Sequence, residues 1–192
     1  PQYQPIRLQA TGKSELKNFT KLEILNQPVF FHGDAFFAGF YLNEIVLRLC
    51  PLEEAMPQTF EQYQLTLLQL QQLASHKQAS LFLRQILRQF EHVLLQELGY
   101  AIDFSVDASQ QDIQVNQHYQ FQLNDGFLPV SRASRSTLEG ALITSMQSYE
   151  DGQDFSHEQL QLLGKLYRQM ISALLGDRPL KSRQLWIQST QT

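Results

Sequence analysis

Two groups of cations stand out among the residues able to do chemistry. Arg178, Lys181 and Arg183 fall within six residues, with Trp186 close behind. Three positive charges beside an indole can hold phosphates and stack a base. The same residues can equally complement the C-terminus of a helix and tie the tail of the chain to its body. Arg84 and Arg88 lie one helical turn apart in a stretch otherwise dressed in Leu and Phe. Such a pair beside apolar side chains suits an acidic peptide with a hydrophobic anchor. The plainer alternative is a solvated face on which Arg88 pairs with Glu91 at i, i+3, and residue pattern alone favours it.

Constellations for catalysis or metal binding do not emerge. The sequence has no Gly-rich phosphate loop and no Gly-x-Ser-x-Gly elbow. The histidines are His32, His76, His92, His118 and His157, and none pairs with another at ligand spacing. His92 is expected at a surface or cap. Glu91 and Glu97 share a helix and are expected as surface carboxylates, because nothing nearby points to a burial that would raise a pKa. Cys50, at a helix end before Pro51, is expected to be structural. The chain is therefore expected not to be an enzyme and to need no cofactor and no metal.

Composition narrows the class. The 192 residues are 43% hydrophobic and 18% charged, which is globular rather than disordered. A net charge of -4 argues mildly against a nucleic-acid binder, although a local basic patch can sit on an acidic protein. One cysteine can neither close an internal disulfide nor build a thiolate zinc site. Without a signal peptide or a long apolar run, a cytoplasmic, nucleoid-associated protein with no membrane contact is expected. The opening PQYQPIRL enters mid-pattern, and an N-terminal segment is expected to be missing before it.

The elements that must carry these residues are mainly helical. Residues 1–27 read as two strands, Gln4 to Gln9 and Leu16 to Leu25, around a Gly12-Lys13-Ser14 turn. A lone hairpin is marginal in water, so it calls for a larger sheet. A 3–4 apolar spacing predicts a helix from Gly33 to Leu49 with Asp34 as N-cap, and another after a Thr59 cap. A third is predicted over roughly Gln78 to Leu98, closed by Gly99. Alternation from Gln114 to Leu123, the turn Asn124-Asp125-Gly126 and the return at Phe127 to Val130 predict a small inserted hairpin around 113–130. A helix is then predicted over LEGALITSMQS. Ser156 and Gln159 form a capping box for the next, which Gly176 ends.

Three ordered segments resemble the RecO family of DNA repair proteins. Phe37-Ala-Gly-Phe-Tyr-Leu-Asn-Glu-Ile resembles the family's Y-x-G-x-Y-x-N-E-L stretch. Leu87-Arg-Gln-Phe-Glu-His-Val-Leu-Leu-Gln-Glu-Leu-Gly-Tyr resembles R-x-F-E-x-x-L-L-x-x-L-G-Y, and Pro179-Leu-Lys-Ser-Arg-Gln-Leu resembles the terminal L-K-S-R-E-L signature. The resemblance implies that residues 1–27 are the remnant of an N-terminal oligonucleotide-binding (OB-fold) barrel and that residues 28–192 are a helical C-terminal domain. Many relatives carry a four-cysteine zinc site after L-G-Y. The matching region here, Phe104 to Leu128, has no cysteine.

What the resemblance implies for function is a recombination mediator. Such a protein binds single- and double-stranded DNA, anneals strands, partners RecR, and helps load RecA on strands covered by single-stranded-DNA-binding protein (SSB). It contacts the acidic, Phe-ended tail of SSB. The residues implied for the tail are Arg88 and Arg84 with Leu87, Ile86, Phe90 and Phe40 as apolar walls. Those for DNA are Lys181, Arg183 and Arg178. The competing expectation, motivated by the net acidity, is a helical adaptor that contacts only protein.

Overall fold

The computed structural model describes residues 2–13, 17–149 and 153–189. It opens with an antiparallel hairpin, β1 (Ile6–Thr11) and β2 (Asn18–Ile24). Ile6 stands opposite Ile24 and Leu8 opposite Leu22, which gathers apolar side chains on one face. Arg7 pairs with Glu23 on the other, at 3.4 Å. Both strands are exposed along their whole length. Of the expected Gly12-Lys13-Ser14 turn, Ser14 lies outside the described residues.

The body is helical, as its apolar periodicity requires. It comprises α1 (Asp34–Leu49), α2 (Pro57–Gln71), α3 (Ala79–Glu97), α4 (Gly140–Thr144), α5 (His157–Leu175) and α6 (Lys181–Ser189). α3 is the central element: Leu83, Ile86, Leu87, Phe90, Leu94 and Leu95 are all buried. They meet Leu42 and Ile45 of α1, Leu70 of α2 and Leu162, Leu163 and Leu166 of α5 in one core. Each such leucine contributes about 2 kcal/mol on leaving water.

Between α3 and α5 lies a three-stranded antiparallel sheet of order β4-β3-β5, with β3 (His118–Gln122), β4 (Gly126–Val130) and β5 (Leu138–Glu139). The expected Asn124-Asp125-Gly126 turn is present, and Gly126 has φ +80, a left-handed value. Phe121 and Phe127 face each other across it with ring centroids 5.4 Å apart. Where a helix over LEGALITSMQS is predicted, Leu138–Glu139 instead pairs with β3, and only Gly140–Thr144 is α-helical before a 3-10 turn over Ser145–Ser148. Strand pairing overrides local helix propensity there.

Helix termini follow local chemistry in some places and tertiary contacts in others. α5 has its capping box: Ser156 Oγ accepts from Gln159 N–H and Gln159 Oε1 from Ser156 N–H. α3 ends at Glu97, and Gly99 just beyond it has φ +86, with Tyr100 N–H bonded back to the Leu95 carbonyl at 2.8 Å. Thr59 is not the cap of α2, and Asp34 is not the cap of α1. α2 begins at Pro57 behind Met56, and the Glu97 carboxylate of α3 receives the N–H groups of Gln58 and Thr59, at 3.2 and 2.6 Å. Gly33 precedes α1, and Asp34 Oδ1 instead accepts from Trp186 Nε1.

Candidate functional site

The two outer family-like segments meet through one carboxylate. Glu44, in the Asn-Glu-Ile end of the first, accepts from Lys181 N–H (2.9 Å), Ser182 N–H (2.8 Å) and Ser182 Oγ (2.6 Å) of the third. These are the free donors at the start of α6, so Glu44 caps that helix from α1. One turn on, Arg48 donates to the carbonyls of Leu175, Arg178 and Pro179, holding the link from α5 to α6. Farther along α6, the Trp186 ring stacks on Phe37, 6.0 Å between centroids and 15° between planes. It is thus Arg48, not Arg178 or Lys181, that reaches the last carbonyl of α5, that of Leu175.

α6, so placed, closes one side of a cavity of about 200 Å³ shared with α1, α3 and α5. Its charged lining is Arg88, Arg168 and Arg183 with Glu91, and its apolar lining is Leu87, Ile171, Leu180 and Trp186, with Tyr41 between. The guanidiniums feel one another. Burial, then the charges of Arg183 and Arg88, draws the Arg168 pKa below its usual value. Three cations from three helices around an apolar hole can receive an anion carrying an apolar group.

Glu91 corrects an expectation. It is 1% exposed, so it is no surface carboxylate. One oxygen, Oε1, accepts from Tyr41 Oη and from Arg88 Nη2, each at 2.5 Å. The other, Oε2, is buried with no hydrogen-bond partner among the described residues. Burial raises the Glu91 pKa, and Arg88 and Tyr41 only partly offset it. The same burial, reinforced by Glu91, pushes the Tyr41 hydroxyl well above its ordinary value. A sequence signal existed: Glu91 lies four residues after Leu87 and four before Leu95, inside the apolar stripe.

The sequence-implied residues divide. Arg88 and Leu87 line the cavity, as does Arg183. Arg88 makes its i, i+3 pair with Glu91 and also faces the cavity, so the two expectations for it coexist. Arg84 is exposed and does not line it. Phe90 and Ile86 belong to the core, Phe90 against Tyr63, and half-buried Phe40 packs against Phe36 at 4.7 Å. Arg178 lines a neighbouring cavity of about 160 Å³ that shares Arg183 and Leu180 with the first. The Lys181 side chain is exposed and borders neither. Arg168, Ile171, Leu180 and Tyr41 were missed, and Trp186 was not placed beside Arg88, because only the packing of α5 and α1 on α3 and of α6 on α1 brings them there.

Elsewhere, Cys50 is half-buried in an apolar groove between α1 and α2. His92 Nδ1 lies 2.7 Å from the Tyr167 hydroxyl. Among the described residues no helix is long and apolar enough to cross a membrane.

Comparison with known proteins identifies the family. Residues 31–184 match the family model described as "Recombination protein O C terminal". The chain is 35% identical over 188 residues to the DNA repair protein RecO of Pseudoalteromonas translucida, covering 97% of this chain and 76% of that protein. It is 36% identical over 183 residues to the RecO of Pseudomonas putida strain W619, covering 95% and 76%. For the RecO of Cellvibrio japonicus the identity is 38% over 179 residues, covering 91% and 71%. With its helical body and its interlocked terminal segments, the chain belongs to the RecO family of DNA repair proteins.

Proposed function

We propose that this chain acts as a recombination mediator that works by binding rather than by catalysis. It receives the acidic, Phe-ended tail of SSB in the cavity between α1, α3, α5 and α6. The observation that carries this reading is the set of Arg88, Arg168 and Arg183 around an apolar hole. The tail's carboxylate meets the guanidiniums, and its aromatic ring fills the space between Leu87, Ile171 and Leu180. Arg88→Ala should weaken binding of an SSB tail peptide by about 1.5–3 kcal/mol, the range for a charged hydrogen bond, which calorimetry checks. Unchanged binding in that variant rejects the assignment.

DNA contact falls to Lys181, Arg183 and Arg178, all exposed at the start of α6 and the turn before it. Together with RecR, the protein anneals strands and helps load RecA on SSB-covered DNA, in the cytoplasm at the nucleoid. Residues 1–27 are the remnant of an OB-fold barrel ahead of the helical domain of residues 28–192 with its inserted hairpin, a division supported by the exposed apolar face of β1 and β2. The net charge of -4 favours a second reading, an adaptor that contacts only protein. A DNA affinity that falls steeply with salt supports the mediator, and no DNA binding even at low salt supports the adaptor.

A further inference from the structure

A buried carboxylate inside a pocket of arginines is out of place if the pocket exists only to hold an anion. Glu91 occupies Arg88 Nη2 through Oε1, the interaction a docking carboxylate would seek. Its Oε2 is buried and without a partner among the described residues. We propose, resting on the tail-docking reading above, that Glu91 is the specificity-determining residue of this cavity: it holds Arg88 while the cavity is empty and yields it by taking up one proton when an acidic tail docks.

The surrounding groups favour this exchange. Among the described residues, Tyr41 from α1, Arg88 from α3, Tyr167 and Arg168 from α5 and Arg183 from α6 surround Glu91, and His92 of α3 stands behind Tyr167, its Nδ1 2.7 Å from that hydroxyl. Tyr41 and Tyr167 are held neutral by pKa values raised through burial. The charge balance near Glu91 therefore rests on the arginines and on Glu91 itself. A second carboxylate entering the cavity raises the cost of the Glu91 anion, whose pKa burial already raises. A proton from solvent goes to the vacant Oε2. Arg88 Nη2–H leaves Oε1 for the tail carboxylate, and Tyr41 keeps its bond to Oε1. An apolar tail lacking an anion cannot drive the step, so the device selects acidic partners.

The probe is a synthetic acidic peptide ending in Phe with a free α-carboxylate, titrated into the full chain by calorimetry in buffers of different ionisation enthalpy. The wild type should take up about one proton per peptide, and its affinity should therefore rise about ten-fold for each pH unit as pH drops from about 8 to about 6. Glu91→Gln keeps the volume and an acceptor for Tyr41. It should bind at least as tightly, without proton uptake, its affinity constant within about two-fold over that range. Peptide binding by the wild type without proton uptake overturns the proposal while leaving the docking reading standing. The same pH dependence in Glu91→Gln also overturns it, assigning the proton to another group, with His92 the first to test. Absence of peptide binding in both proteins overturns the docking reading and this proposal with it.

Discussion

Burial pushes up the carboxyls of both Glu44 and Glu91, the one partly and the other fully buried, and their partners separate them further. For Glu44, burial pushes the carboxyl up, but the hydroxyl and N–H of Ser182, the N–H of Lys181 and the Arg48 charge outweigh it. The group ends below the usual carboxylate range. A carboxylate lowered in the folded state contributes stability that is complete above its unfolded pKa and is lost as pH falls through the folded value. Docking of α6 should therefore persist on acidification through the ordinary carboxylate range and give way only below it. The sole tryptophan, Trp186, stacks on Phe37 and reports this directly. Its emission should shift to the red in Glu44→Ala at neutral pH, with a loss of about 1–3 kcal/mol for the orphaned donors of Lys181 and Ser182. An unshifted spectrum would mean that α6 is held by other contacts.

Elements in this fold are stabilised in two distinct ways. α5 carries its own start signal in Ser156 and Gln159, and Ser156→Ala should cost about 1 kcal/mol in urea denaturation. The junction of β5 and α4 depends instead on close approach. A Cβ on Gly140 would stand 1.9 Å from the Gln114 carbonyl oxygen, and the Gly140 N–H bonds the Gln117 carbonyl at 2.7 Å. Backbone cannot step aside as a flexible side chain can. Gly140→Ala should therefore lose about 2–3 kcal/mol or more, and hydrogen exchange should speed up in β3 and β5. Loss below about 0.5 kcal/mol would show that this junction relaxes freely.

For the molecule as a whole, the acidic balance of -4 coexists with a basic face at the start of α6. If phosphates meet that face, replacing Lys181 or Arg178 by Gln should weaken DNA binding uniformly across sequences. Each should reduce the slope of log affinity against log salt by about 1. Arg183 differs, because it also lines the cavity. Arg183→Gln should weaken both DNA and the tail peptide, whereas Lys181→Gln should leave peptide affinity within about 0.5 kcal/mol. Filter binding over a salt series, with peptide calorimetry beside it, separates these outcomes.

Much of the helical body was legible from residue order alone. Periodicity marked α1, α3 and α5, Gly99 and Gly176 marked two ends, Asp125-Gly126 marked the inserted hairpin, and Ser156 with Gln159 marked a cap. Each is a local preference acting within a few residues. The caps of α1 and α2 were misread at Asp34 and Thr59, because their partners, Trp186 and Glu97, lie far along the chain. Arg88 was visible as a cation on an apolar helix, and the family-like segments drew attention to it. Its cavity was not visible, because Tyr41, Arg168 and Arg183 stand on three other elements and Leu180 just before the last of them. Glu91 was misjudged although its place in the apolar stripe of α3 signalled burial, and the packing of α1 and α5 against α3 completes that burial. The sequence by itself determined that α1, α2, α3 and α5 form and which cations they carry. Only the tertiary structure decided which cations share a cavity, because that depends on how Glu44 and Arg48 dock α6 and on which face of α3 loses its water.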